Sequence, residues 1–280
     1  LTEVEDQLLA YRKNVGIEGS PVLLTYSTNK EISKLIEKVC DQGDGKSYWY
    51  EDVLHKLWRI EDQLMIESLQ QAFKKLKRCY IVDGHHRAAS AVRLGGKATA
   101  WLSSLYLPIE HLQFAAFHRL IDPGEIDRGD LLKEIAKGYY MSYIPNNKPY
   151  RPDRKGRMGM FFSGIWYQLD PKPSIADSAS PADVQLLQEL ILAPAFKILK
   201  PASDERLTYF DDQGGWTLLL SKLAKNERLI AFTLFSITPR ELMDHADQGR
   251  MLPPKSSCIL PKAPFGLLMQ DLNLDKETAK

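Results

Sequence analysis

The chain is short of two things, net charge and cysteine. Across 280 residues, 37 Lys and Arg stand against 36 Asp and Glu, a formal charge of +1. No electrostatic surplus therefore draws it to nucleic acid or to an anionic membrane, and neither is an expected partner. Its three cysteines, Cys40, Cys79 and Cys258, are too few and too dispersed for a disulfide framework or a Cys-rich zinc site. That usage fits a reducing compartment, and a cytoplasmic location is expected. No apolar run approaches the roughly 20 residues of a membrane span. A signal-peptide pattern, internal repeats and low-complexity tracts are missing as well. The chain also starts at Leu1, without an initiator Met and already inside a helical pattern, so a fragment is expected. What is present is length enough to bury a full core, in one large or two smaller domains.

Strand and helix signals alternate along the chain. Pro21 to Tyr26 is a compact apolar run of the buried-strand kind. Ile32, Leu35, Ile36 and Val39 mark one helix face, and the polar turn Asp41 to Gly45 follows. His55 to Ile60 reads as a strand, Ile66 to Lys77 as a helix, and Thr99 to Leu107 and Leu112 to Ile121 as strands. Next come a helix over Asp130 to Tyr140, an aromatic hairpin around Ser163-Gly164, and a helix over Ala182 to Leu192. Strands at Arg206 to Phe210 and Leu229 to Ile237 flank a helix at Trp216 to Ala224. Thr238-Pro239-Arg240-Glu241 carries a capping Thr, a Pro at the first helical position and an acid in the first turn. The expected fold is α+β, with a mixed sheet. Residues 1–122 would hold the strand–turn–helix described next, and 123–280 a second α+β region whose segment 252–268 returns to it.

That strand–turn–helix is the stretch with most chemical content. Tyr80-Ile81-Val82 leads into Asp83-Gly84, a pair suited to a tight turn because Asp bonds its own backbone and Gly accepts positive φ. An alanine-rich run follows, and Gly95-Gly96 is expected to close it as a helix C-terminus. His85, His86 and Arg87 then crowd potential positive charge onto a helix start whose unpaired N–H groups are already electropositive. The arrangement becomes sensible if N–H groups, an Arg fork and two imidazoles converge on one phosphate or carboxylate. The plainer alternative is an ordinary turn with a capping Asp.

A second stretch, Leu252 to Lys262, places two lysines and two hydroxyls on what reads as a proline-stiffened strand, with Lys255 and Ser257 alternating to one face. It could face the Asp83–Arg87 turn and offer it phosphate-binding charge, or be a stiff loop leading into an edge strand. Between the two stretches, Arg151, Arg154, Lys155 and Arg157 form a basic cluster in a segment that reads as an exposed, solvated loop. A metal hydrolase built on His85, His86, His118 and Asp83 has little support, because adjacent helical residues point about 100° apart. Nucleophilic cysteine chemistry has no more, since nothing places a base beside Cys79.

Residues 83–87, Asp-Gly-His-His-Arg, together with Leu252 to Ser257, Pro261-Lys262 and Gly266-Leu267, resemble the two signatures of the DUF1015 family. Pro21 to Tyr26, Leu57-Trp58 and His118-Arg119 add to the likeness, which covers almost the whole chain. Ala88, Leu252 and Ser257 depart from the residues common there. Such proteins usually carry about a hundred further N-terminal residues, a domain-sized piece. The turn itself is similar to the phosphate-binding turn of the ParB and sulfiredoxin superfamily, which includes CTP-binding partition proteins and nucleotide-dependent free-serine kinases. The resemblance implies a phosphotransferase using ATP or ADP with Mg²⁺ on a small hydroxylated metabolite such as serine. Gly84, His85, His86, Arg87 and Ser90 would hold phosphates, joined by Lys255, Ser256 and Lys262. Asp83 and His86 would be catalytic, Asp83 holding Mg²⁺ or taking the substrate proton, with His118 and Arg119 behind them. In the related kinases a further catalytic carboxylate lies in the N-terminal part, which this chain is expected to lack. A non-catalytic module that senses a nucleotide or phosphate is the alternative.

Overall fold

The computed structural model describes residues 2–50, 52–99, 101–176, 181–250, 252–253, 255–256, 258–260 and 264–272. The chain gathers into two compact units, Leu1–Leu112 with Pro261–Lys280, and Gln113–Leu260. Both are mixed α+β. In the first, helix α1 (Thr2–Val15) leads through β1 (Ile17–Glu18) into β2 (Val22–Tyr26). Helix α2 (Lys30–Asp41) starts where the Asn29 side chain accepts from the N–H groups of Glu31 and Ile32, satisfying donors that a helix start leaves open. After the hairpin β3 (Lys46–Tyr50) and β4 (Val53–Leu57), α3 (Gln63–Lys74) is capped by Asp62 in the same way. Strand β5 (Tyr80–Asp83), helix α4 (His85–Thr99) and β6 (Ser104–Pro108) complete the run.

Strand β2 is the centre of a three-stranded sheet, antiparallel to β5 and parallel to β6. A mixed sheet of this kind is what the sequence led one to expect. Val22, Leu23, Tyr26, Ile32, Ala72, Val82 and Ala91 are buried on it, and Phe73 packs between the rings of Tyr26 and Tyr106. The register of β2 on β5 shifts between Leu23 and Leu24, and Asp83 sits opposite Leu23 at the strand's end.

The second unit opens with β7 (Gln113–Ala115) and β8 (Phe117–Ile121), both N-terminal to residue 122, then α5 (Arg128–Gly138) and β9 (Tyr139–Tyr143). It continues with β10 (Met158–Phe162), β11 (Ile165–Pro171), α6 (Pro173–Ala176), α7 (Asp183–Leu187), α8 (Ala193–Phe196), β12 (Leu207–Asp211), α9 (Gly215–Lys225), β13 (Ile230–Thr233), α10 (Pro239–Asp247) and β14 (Cys258–Leu260). Six strands form one antiparallel sheet in the order β12-β8-β13-β10-β11-β9. Because successive side chains point to opposite faces, Leu120, Phe161 and Ala231 meet Leu219 and Leu223 of α9 on one side. Ile121, Met160, Ile230 and Phe232 meet Leu131, Ile135, Leu187 and Ile191 on the other. Both faces are covered, which explains why Met158 to Phe162 is apolar without alternation. The chain then returns to the first unit, where β15 (Gln270–Asp271) pairs with β1 and Gln270 accepts from the Ser103 N–H at 2.9 Å.

Several local expectations are corrected. Helix α4 does not stop at Gly95-Gly96 but runs on to Thr99; glycine ends a helix when it turns left-handed, and here it stays helical at a propensity cost of about 1 kcal/mol each. The 182–192 helix is α7 followed by a π-helical turn over Gln188–Leu192. Among the described residues of the stretch read as a strand from Leu252, Cys258–Leu260 is the strand, pairing with β7, and Lys255 lies in a turn at φ 56°. Alternation therefore does not apply to Lys255, while Ser257 and Lys262 fall outside the described residues. The basic 151–157 segment is a loop with Arg151 and Arg154 exposed, as expected, but its charges are paired. Arg157 and Arg154 pair with Asp170, Lys155 with Glu241, and Arg151 with Asp212 while its guanidinium lies over Trp216 at 4.2 Å.

Candidate functional site

Strand β5 ends at Asp83 and α4 begins at His85, so the whole reversal falls on Gly84, at φ 91°. The Gly84 carbonyl accepts from the Ala88 N–H at 2.9 Å, making Gly84 the residue that opens the helix. The N–H groups of the following turn then have no intrahelical partner. Arg87 folds back over this glycine: a Cβ at position 84 would lie 2.8 Å from its Nη2 and 2.9 Å from its Nε. Glycine is required here by φ, and the guanidinium lies against its bare backbone.

The charges of the turn are partly met from within the protein. Arg87 Nη2 donates to Asp83 Oδ2 at 2.7 Å, while Arg87 Nε is buried without a partner. His86 Nδ1 stands 3.7 Å from Glu5 Oε1 on α1, and Arg93 reaches both Glu5 (3.6 Å) and Asp6 (2.6 Å). Helix α4 has no acid in its own first turn, and α1, packed against it, supplies the carboxylates. Asp83 and His85 remain exposed. Ser90 is fully buried and its hydroxyl donates to the Arg87 carbonyl at 3.0 Å, which makes it a helix-packing residue with no donor left for a ligand.

Glu5 is the residue that reading the sequence missed. Attention there fell on the apolar positions Val4 and Leu8, although Glu3, Glu5 and Asp6 crowd the start of the same helix. A metal would meet Asp83 as its carboxylate at this turn; among the described residues no group of three or more His, Cys, Asp or Glu is arranged to hold one. One exposed carboxylate fits Mg²⁺ brought by a nucleotide, since that ion keeps its waters and binds through one or two carboxylates plus phosphate oxygens.

The other candidates lie in the second unit, where two of them come together. Arg119, on β8, is 2% exposed; it donates to the carbonyls of Phe117 and, at 2.9 Å, Lys255, and lies 5.0 Å from the centre of the Tyr209 ring. Burial lowers its guanidinium to about 10. Lys255 is exposed, with Nζ 5.6 Å from the centre of the Phe117 ring, and Ser256 Oγ donates to the Pro253 carbonyl, closing the turn. His118 is a structural histidine: its Nδ1 accepts from the Leu234 N–H (3.3 Å), which leaves the proton on Nε2 to be donated to Asp212 (3.0 Å).

The first unit is thus a mixed-sheet protein module in which a glycine turn delivers a strand into a helix start lined by an Arg and two His. Residues 1–191 match the family profile described as "Protein of unknown function (DUF1015)", and the chain belongs to that family. No curated protein matches the sequence. Among solved structures, a free serine kinase mutant in complex with AMP superposes with a TM-score of 0.51 at 14% identity, covering 98% of this chain and 86% of that one. A free serine kinase mutant in complex with ADP gives 0.50 at 14% identity, over 98% and 87%. SbnI with a C-terminal truncation, from Staphylococcus aureus, gives 0.51 at 10% identity, over 98% and 82%. At such identities the likeness speaks for the fold alone. No helix among the described residues is long and apolar enough to cross a membrane.

Proposed function

We propose that the chain is a nucleotide-dependent phosphotransferase acting on a small hydroxylated metabolite, with the phosphates held at the Asp83–Arg87 turn. The observation that carries this is the buried Arg87 Nε without a partner, set beside a helix start and the exposed His85. Unspent donors of this kind suit a phosphate group. Gly84 lets the phosphate approach the backbone, and His85, His86 and Arg87 neutralise it. Phosphoryl transfer asks mainly for positioning and charge neutralisation. Two carboxylates are at hand for the rest: Asp83 for Mg²⁺, and Glu5, through its contact with His86, for the hydroxyl proton. The AMP and ADP named with the free serine kinase structures support a nucleotide as the phosphate donor, and serine as the first acceptor to try.

A second reading, a module that binds a nucleotide without turning it over, is favoured by the Asp83–Arg87 pair, which keeps one of the two carboxylates engaged. The experiment is a thermal-shift series with ADP and ATP, with and without Mg²⁺, on the wild type and on Arg87→Ala, followed by assay of serine for phosphorylation. Ligand at a hundred times its Kd stabilises the folded state by about 2.7 kcal/mol, and Arg87→Ala should lose most of that gain. Binding without phosphorylated product selects the sensor. No response to either nucleotide refutes both readings.

A further inference from the structure

We propose that Asp83 is the resident counter-anion of the turn, and that an incoming phosphate group must displace it from Arg87. The inference rests on the anion-binding reading above and concerns what that site admits. Three features of the geometry carry it. The pair is lopsided: the Arg87 side chain is 22% exposed and that of Asp83 is 62% exposed, so the cation is built in and the anion is at the surface. Asp83 takes only Nη2, and Nε on the same edge of the guanidinium is left buried without a partner. That edge lies against the Gly84 backbone, so close that a Cβ there would stand 2.8 Å from Nη2 and 2.9 Å from Nε.

A tethered carboxylate competes at high effective concentration with anything that seeks Arg87. A carboxylate ligand that replaces it can also fork onto Nε and Nη2, but it brings a single charge and loses its own freedom. A phosphate brings about two charges and three acceptor oxygens, so it can take Nε and Nη2 together and still reach the helix N–H groups. Asp83 therefore raises the threshold for every anion by the same factor. Removing the Asp83 charge should tighten binding, the reverse of what is expected if this carboxylate held the ligand.

The test is isothermal titration of the full chain in the absence of divalent cations, with ADP as the phosphate probe. Asp83→Asn should bind ADP about fivefold more tightly than the wild type, the scale of an exposed ion pair. Arg87→Ala should bind ADP at least about tenfold more weakly, and the double variant no more tightly than Arg87→Ala alone. Asp83→Ser removes the same charge and serves if the Asn variant does not fold. ADP binding in either Asp83 variant that is equal to or weaker than wild type overturns the proposal, as does a gain that survives in the double variant. Loss in Arg87→Ala without gain in the Asp83 variants sinks the counter-anion alone. Wild-type chain that binds no ADP, or binds it regardless of Arg87, sinks the anion site with it.

Discussion

Asp183 makes the stability of the second unit depend on pH in a direction opposite to that of most carboxylates. It is the first residue of α7, 4% exposed, and its Oδ1 accepts from the Gly156 N–H at 2.8 Å while Oδ2 is buried without a partner. Burial pushes the carboxyl up to about 7, against the pull of the Gly156 and Phe235 N–H groups and of Lys155. Glu241 adds to the push, and the buried Tyr139 hydroxyl is itself raised, by burial first and Asp183 second. An Asp in an unfolded chain titrates near about 3.9. Between those values the folded chain holds a proton that the unfolded chain has lost, so stability falls as pH rises. The slope is about 1.4 kcal/mol per pH unit for one proton. From pH 5 to pH 7 the contribution therefore drops by about 2 to 3 kcal/mol, and above 7 the loss levels off. Asp183→Asn keeps an acceptor for Gly156 and carries no charge, so it should be more stable than wild type at pH 8 and lose most of that advantage by pH 5. His245 works in the other direction: burial lowers its imidazole, so its share of stability is lost as pH falls. It is present in both proteins, and the difference between them cancels it. Urea unfolding followed by tryptophan fluorescence at half-unit steps from pH 5 to 8 gives that difference. A difference that stays flat, or that grows toward acid, refutes the reasoning.

Two further predictions concern the candidate residues. Gly84→Ala puts a methyl group into Arg87 at a φ of 91° and should cost about 1 to 3 kcal/mol in urea unfolding, with ADP affinity falling because Arg87 is pushed off the turn; an unchanged midpoint contradicts the close approach. Arg119→Met removes a buried cation together with its bonds to the Phe117 and Lys255 carbonyls. The desolvation relieved offsets the bonds lost, so global stability should change by less than about 2 kcal/mol, while the Lys255 turn loosens. Faster hydrogen exchange across residues 252–260 checks this, and unchanged exchange rules out Arg119 as its anchor.

How much could be read from the chain alone follows the range of the interactions. Asp-Gly between an apolar run and an alanine-rich one is a local instruction, and β5, Gly84 and α4 form where it says. Thr238 and Glu241 close a capping box within one helical turn, as their spacing implied. The hairpin strand Lys46–Tyr50 carries no alternation to detect, since Tyr48, Trp49 and Tyr50 are all exposed, whereas its partner Val53–Leu57 overlaps the strand read at His55–Ile60. The basic segment 151–157 was legible as an exposed loop but not in its pairing. Its carboxylate partners Asp170, Asp212 and Glu241 lie up to 86 residues away, and composition cannot distinguish a paired cation from a solvated one.

The same division holds at the site. The order of residues by itself determined that a glycine would reverse the chain there and that an Arg and two His would stand at a helix start, because turn and helix signals act over a few bonds. Only the packing of α1 on α4 decided that Glu5 meets His86, and only the backward fold of Arg87 decided that Asp83 is its partner and that one guanidinium donor stays unspent. Likewise Arg119 and Lys255, 136 positions apart, are joined by a sheet and not by any pattern along the chain. Side-chain charge is written in the sequence; which charge answers which depends on burial and on distances of a few ångströms, and those exist only once the chain has folded.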